Sequence, residues 1–222
     1  MAAFGLIASA LSAQSADVVI EYLPFTITAP GTYVLTGNLT FDSYTNGNAI
    51  SISPSTQGAV DLDLKGYTIT GPGGQTTGVA IALQNSKYPI LVRNGTFKNF
   101  GYGVVVEPGT SASTYLHDIT VDKIVFSITS DPSNVYSTGV SFYQVSSSAV
   151  TNCTFNGGVY GIVDANTAGN NSYTNDTFLG TSQVLSVTGP DIGSFAPYAP
   201  TPIILNHCGF EVHGLPGDPS KK

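Results

Sequence analysis

From residue 17 onward, apolar and polar positions alternate in short runs, each closed by Gly, Asn or Pro. Val60-Asp-Leu-Asp-Leu64 is typical: period two puts Val60, Leu62 and Leu64 on one face of a strand and Asp61 and Asp63 on the other. The runs also recur. A turn residue followed by Thr or Gly and then an aromatic or branched residue leads successive units at Lys65, Asn94, Asp122, Asn152, Asn175 and Asn206, with separations of 29, 28, 30, 23 and 31 residues. Between these leads sits a second pattern, a glycine opening an alternating apolar run, at Gly78, Gly103, Gly139 and Gly161. Each unit therefore holds two or three short strands, and no intervening stretch is long or periodic enough for a crossover helix. Parallel strands without crossover helices are best accommodated by a chain that coils into stacked rungs. An antiparallel sandwich would instead call for Asn-Gly-type hairpins between neighbouring strands.

The ends read differently. Residues 1–16, with an apolar stretch at Phe4–Ala8 and small residues to Ala16, resemble the close of a secretory signal peptide, which predicts a secreted protein, extracellular or periplasmic. Residues 17–32 are expected to cap the first edge of a domain running over 17–213. The Pro-rich stretch 189–202 reads as a loop, 203–212 as a last strand and 214–222 as a polar tail.

Composition narrows the function classes. Charged residues make up 9% of the chain and the net charge is −7, with Arg93 and six lysines as the only cations besides histidine. No basic stripe exists, so nucleic acid is excluded as a partner. No apolar run reaches the ~18 residues of a membrane span. The two cysteines, Cys153 and Cys208, are too few for a disulfide scaffold. Aligning units on Phe155 and Phe210 places them two rungs, about 9.6 Å, apart, too far for a disulfide, so both are expected as packed free thiols.

Three segments carry a resemblance. Thr28–Thr40 (TAPGTYVLTGNLT) resembles the opening segment of secreted bacterial right-handed parallel β-helix proteins, the pectate-lyase-like superfamily. Val60–Gly71 (VDLDLKGYTITG) is similar to their first full rung, and Arg93-Asn-Gly-Thr-Phe97 with Gly101–Val104 to the next. Lys65 departs from the pattern, which commonly has Asn at that turn. The resemblance spans about residues 26–213 and implies an all-β, single-stranded right-handed parallel β-helix of about six to seven rungs. It implies little about activity, because lyases, polygalacturonases, epimerases and phage tailspikes share that fold.

Candidate chemistry is sparse. Two carboxylates at i and i+2, Asp61 and Asp63, could hold Ca²⁺. In the lyases that share the fold, clustered aspartates bind calcium and a basic residue abstracts a proton, which makes Arg93 the candidate base. The simpler reading is a solvated, edge-protecting acidic pair. The recurring Asn residues, several of them Asn-x-Thr matches (Asn38, Asn94, Asn152, Asn175), suit left-handed turn positions and axial hydrogen bonding. Polygalacturonase signatures are absent. Asp164, Asp176 and Asp191 fall late in the chain without a convincing histidine, while His207 and Cys208 face opposite ways along a strand. Phe97, Phe126, Phe155, Phe178 and Phe210 recur in register as an internal stack. Tyr88, Phe100 and Tyr102 sit beside Gly and Pro and are candidates for a sugar-stacking platform.

The leading expectation is a secreted, non-catalytic module binding a polysaccharide or cell-surface partner along one face. A polysaccharide lyase or hydrolase using Asp61, Asp63 and Arg93 is the alternative. A structural, tail-fibre-like oligomer is a third, and it predicts a long exposed apolar patch.

Overall fold

The computed structural model describes residues 16–43, 47–83, 88–108, 116–128, 137–165, 170–179, 181, 183–188, 204–206 and 209–211. Among these residues every regular element is a strand. The first two are β1 (Val18–Ile20) and β2 (Phe25–Ile27), followed by β3 (Gly31–Leu35), β4 (Leu39–Thr40) and β5 (Asn48–Ile52). Next come β6 (Val60–Asp63), β7 (Thr68–Thr70) and β8 (Thr77–Leu83), then the longer β9 (Ile90–Lys98) and β10 (Tyr102–Pro108). Beyond them lie β11 (Leu116–His117), β12 (Ile119–Ser127), β13 (Thr138–Tyr143), β14 (Val145–Ser146), β15 (Ala149–Thr151), β16 (Thr154–Asn156) and β17 (Tyr160–Ala165). The last are β18 (Ser172–Thr174), β19 (Thr177–Leu179), β20 (Gln183–Thr188), β21 (Ile204–Asn206) and β22 (Gly209–Glu211).

Two long sheets result. One follows the order β1-β3-β6-β9-β12-β15-β18-β21 and carries β4, β7, β16, β19 and β22 alongside; the other runs β2-β5-β8-β10-β13-β17-β20. Pairing is parallel throughout, and strands adjacent in sequence never pair with one another. That excludes an antiparallel sandwich for the described residues. None of their elements is a helix long and apolar enough to cross a membrane. Residues 17–32 continue both sheets as β1 and β2, pairing in register with β3 and β5. The stretch read as one last strand is two short ones, β21 and β22. The expected signal segment (but for Ala16), loop 189–202 and tail 214–222 lie outside the described residues.

Register builds the core as columns. Leu62, Val92, Val121, Val150 and Tyr173 are successive partners across the first sheet, and Ile50, Val79, Val104, Val140 and Ile162 across the second. All ten are fully buried and belong to one continuous cluster. Each such side chain contributes about 1.5–3 kcal/mol on removal from water.

The corner within the first sheet explains the repeat. Asn94, Asn152 and Asn175 hold φ of 57°, 55° and 57°, the left-handed conformation that Asn tolerates. Register adjusts the alignment read from sequence: Asp122 pairs with Arg93 and Thr151, so the corner residue of its unit is Lys123, at φ 53°. Likewise Asn206 pairs with Thr174, not Asn175. Lys65, the departure from the family pattern, adopts the same conformation at φ 51°.

The two sequence patterns turn out to be halves of one contact. Phe97, Phe126, Phe155 and Phe178 stack face to face, with centroid separations of 6.1, 5.0 and 4.8 Å. Each of the first three rings lies against the glycine that opens a second-sheet strand of the preceding unit. A Cβ on Gly78 would stand 2.6 Å from the Phe97 ring, and one on Gly103 or Gly139 would run into Phe126 or Phe155. The glycines recur because the rings need a floor without side chains.

Candidate functional site

The three residues proposed for chemistry are brought together on adjacent strands. β6 and β9 pair Asp63 with Arg93 and Asp61 with Leu91. The Arg93 guanidinium donates twice to Asp61, Nε to Oδ1 at 2.9 Å and Nη2 to Oδ2 at 3.0 Å. Nη2 also lies 3.0 Å from Asp63 Oδ2. Asp63 Oδ1 accepts the Lys65 N–H at 2.8 Å and the Asn94 side-chain amide at 3.2 Å, while the Lys65 ammonium stands 3.2 Å from Oδ2.

Asp61 and Asp63 share the face opposite Leu62 and Leu64, as alternation predicts, but the reading of Asp63 as solvated is corrected: the residue is 2% exposed. Its burial comes from cover and not from a reversed face: Arg93, Lys65 and Asn94 close over the carboxylate, while Leu62 and Leu64 pack in the core on the opposite side. Burial alone would raise the Asp63 pKa, but the Lys65 N–H, the Asn94 amide, the Lys65 ammonium and Arg93 outweigh it and the pKa is lowered. The hydrogen bond to Asp61 raises that of Arg93 against the effect of burial, so the guanidinium is a fixed cation rather than a proton acceptor.

The polar row continues. Asp122 follows Arg93 in register and accepts the Thr151 hydroxyl at 2.8 Å and the Asn152 amide at 2.7 Å, with Lys123 at 3.6 Å. Its pKa, pushed up by burial, is lowered overall by these partners. Asn175 in turn donates to Asn152 at 3.3 Å. The recurring amides thus reach back one unit along the sheet.

For calcium, the geometry is unfavourable. Both oxygens of Asp61 and both of Asp63 already accept hydrogen bonds or face cations, and a metal would have to displace donors rather than fill a gap. Among the described residues no group of three or more His, Cys, Asp or Glu side chains is placed to hold a metal ion. At the surface His117 Nδ1 lies 2.7 Å from Asp118 Oδ2 and register sets Ser146 beside His117, yet no hydrogen bond joins that hydroxyl to the ring.

The aromatic platform also needs correction. Phe100 is fully buried, stacked on Phe41 at 6.4 Å and edge-on to Phe97 at 6.1 Å, so it cannot present a face to a sugar. It plugs the second corner, where Asn99 at φ 58° turns the chain between sheets. Tyr88 and Tyr102 are half-buried, but the whole of β9 separates them.

A regular outer strip was not singled out from sequence. Thr68, Thr96, Val125, Thr154 and Thr177 are successive partners on the outer side of the first sheet. Beside them runs the column Thr70, Lys98, Ser127, Asn156 and Leu179. All are half-buried or exposed, and neighbours in a column are about 4.8 Å apart. The signal for it was the Thr that precedes Phe97, Phe155 and Phe178, with Val125 in that place before Phe126.

Asp164, set aside in the sequence for want of a histidine, proves to be the centre of a buried polar cluster with Asn171 and Tyr173. Asp164 stands in the column Ile27, Ile52, Ile81, Val106 and Phe142, fully buried among them. It accepts the Tyr173 hydroxyl at 2.5 Å and the Asn171 amide at 3.2 and 3.3 Å. Alternation from Ile162 would have placed it inward.

Cys153 is a free thiol at 1% exposure, with Sγ 3.3 Å from the Thr151 carbonyl, and burial pushes its pKa up. Cys208 lies outside the described residues. Iodoacetamide without reductant should leave Cys153 unmodified in the native protein and label it in urea; labelling of the native chain at the urea rate would contradict this packing.

No family model, curated protein or solved structure matches the chain.

Proposed function

We propose that the chain winds as a right-handed parallel β-helix of six to seven turns and serves, outside the cell, as a non-catalytic module. Its ligand is an extended polysaccharide or cell-surface glycan laid along the outer strip of the first sheet. The observation that carries this reading is the repetition of Thr68, Thr96, Thr154 and Thr177 at one register position, with Lys98, Ser127 and Asn156 beside them. A polymer with a hydroxyl-bearing repeat meets a threonine hydroxyl at four of the five steps, with Val125 at the third flanked by Ser127. The parallel pairing of every unit with the next, without helices among the described residues, supports the winding.

Weighing against the lyase reading, Arg93 and both aspartates are committed to one another. The oligomer reading calls for a long apolar patch, whereas the large exposed apolar side chains among the described residues are Val18, Val19 and Tyr22 at one end and Val125 and Tyr143 elsewhere. The double variant Thr96→Arg/Thr154→Arg should weaken retention on an immobilised polysaccharide that binds the wild type by about tenfold or more, while the unfolding midpoint stays unchanged. Undiminished retention would remove the strip from the site.

A further inference from the structure

Asp176 occupies the corner between β18 and β19. Register gives that position to Cys153 one unit earlier, to Ile124 before it and to Gly95 before that. The column points into the core: Ile124 and Cys153 are buried, and Asp176 is 0% exposed. Its Oδ1 accepts the Cys153 N–H at 2.8 Å, while Oδ2 is fully buried with no hydrogen-bond partner.

Apart from backbone N–H groups, the surroundings offer an anion no compensation. Facing Asp176 are the Cys153 thiol between β15 and β16, the Tyr173 phenol of β18, whose proton goes to Asp164 of β17, and, further off, Asp122 of β12. Lys123 lies on the outer side, paired with Asp122. Among the described residues no Lys, Arg or His forms an ion pair with Asp176. Beyond it, β22 carries Glu211, and the chain between β21 and β22, His207 and Cys208, lies outside the described residues.

We propose that Asp176 makes the docking of the last units, β18 to β22, a pH-sensitive joint: closed while its carboxyl is protonated, loosened once it ionises. An ionised carboxylate here would be a buried charge with one oxygen unpaired, which the interior disfavours. Burial, opposed by the N–H groups of Cys153 and Thr174 and reinforced by Asp122, pushes the pKa up to about 7. Because the folded value is raised, the contribution to stability is fully present below the unfolded value of 3.8 and is lost as pH rises through about 7.

The test is hydrogen exchange of the full chain, corrected for intrinsic rates, at about pH 5 and about pH 8. The opening constant over β18, β19 and the Cys153 amide should rise about 100-fold in the wild type. Asp176→Asn, which keeps the acceptor for the Cys153 N–H, should show little change, and His207→Ala should behave as wild type. A flat wild type, an unchanged rise in Asp176→Asn, or loss of the rise in His207→Ala would each overturn the proposal. Should Asp176→Asn fail to fold, ¹³C NMR of the wild-type Asp176 carboxyl decides: titration near neutrality supports the joint, and titration in the ordinary carboxylate range sinks it.

Discussion

Truncating Phe126 to alanine should lower stability by about 4 kcal/mol, and a single methyl group added at Gly103, beneath the same ring, by about 3 kcal/mol. The ring stacks at 6.1 Å on Phe97 and 5.0 Å on Phe155, with interplanar angles of 21° and 12°. Its removal leaves a void in the middle of the stack. At Gly103 a Cβ would meet both the Phe126 ring and the Gly139 carbonyl oxygen of the next strand. Neither can move without disturbing a neighbouring unit that repeats the same contact. Urea unfolding of the two single variants and the double variant reads both losses. The double variant should be less destabilised than the sum, because loss of the ring relieves one of the two clashes at Gly103 and leaves only that with the Gly139 carbonyl oxygen. Strict additivity, or a Gly103→Ala cost below about 1 kcal/mol, would contradict the ring-on-glycine account.

Removal of the Asp63 carboxylate is the second large effect. Asp63→Ala should cost about 3–5 kcal/mol, because it strands the Lys65 N–H and takes a buried partner from Arg93. Asp61→Ala should cost about 1 kcal/mol or less, since its side chain is 29% exposed and water replaces the lost contact. The pH dependence has a definite sign. The folded pKa of Asp63 is lowered, so its stabilisation is present above the unfolded value of 3.8 and is lost as pH falls through the folded value. Wild-type stability should therefore decline on the acid side, and that limb should flatten in Asp63→Ala. Equal costs at Asp61 and Asp63 would show that burial does not distinguish them.

Much of the architecture was legible because its contacts repeat. The in-register phenylalanines, the left-handed asparagines and the strand-opening glycines each announce a position that recurs once per unit, and the parallel pairing follows from their spacing. Single departures were harder to read. Asp122 looked like a corner residue by its likeness to Asn, yet register gives the corner to Lys123, whose left-handed φ no propensity would suggest. Asp63 kept the face that alternation predicts but not the exposure, because Arg93, Lys65 and Asn94 close over its carboxylate. Phe100 read as a loop aromatic from its glycine neighbour, whereas it fills the second corner against Phe41 and Phe97. Asp164 and Asp176 are inward positions occupied by acids, visible in the alternation but against the expectation that such positions are apolar. The candidate strip followed from register more than from any motif, since a Thr before a Phe acquires meaning only once the strands are set side by side.

The most direct test of the central proposal is to incubate the full chain, with and without calcium, with a panel of acidic and neutral polysaccharides. Retention and the ultraviolet absorbance of newly formed unsaturated ends are scored together, with reducing ends as a second product assay. The account predicts saturable retention by at least one extended polymer, independent of calcium, with neither unsaturated nor reducing ends accumulating. Calcium-dependent growth of the absorbance, abolished by Asp61→Ala in a protein that remains folded, would contradict it and make Asp61, Asp63 and Arg93 a catalytic centre.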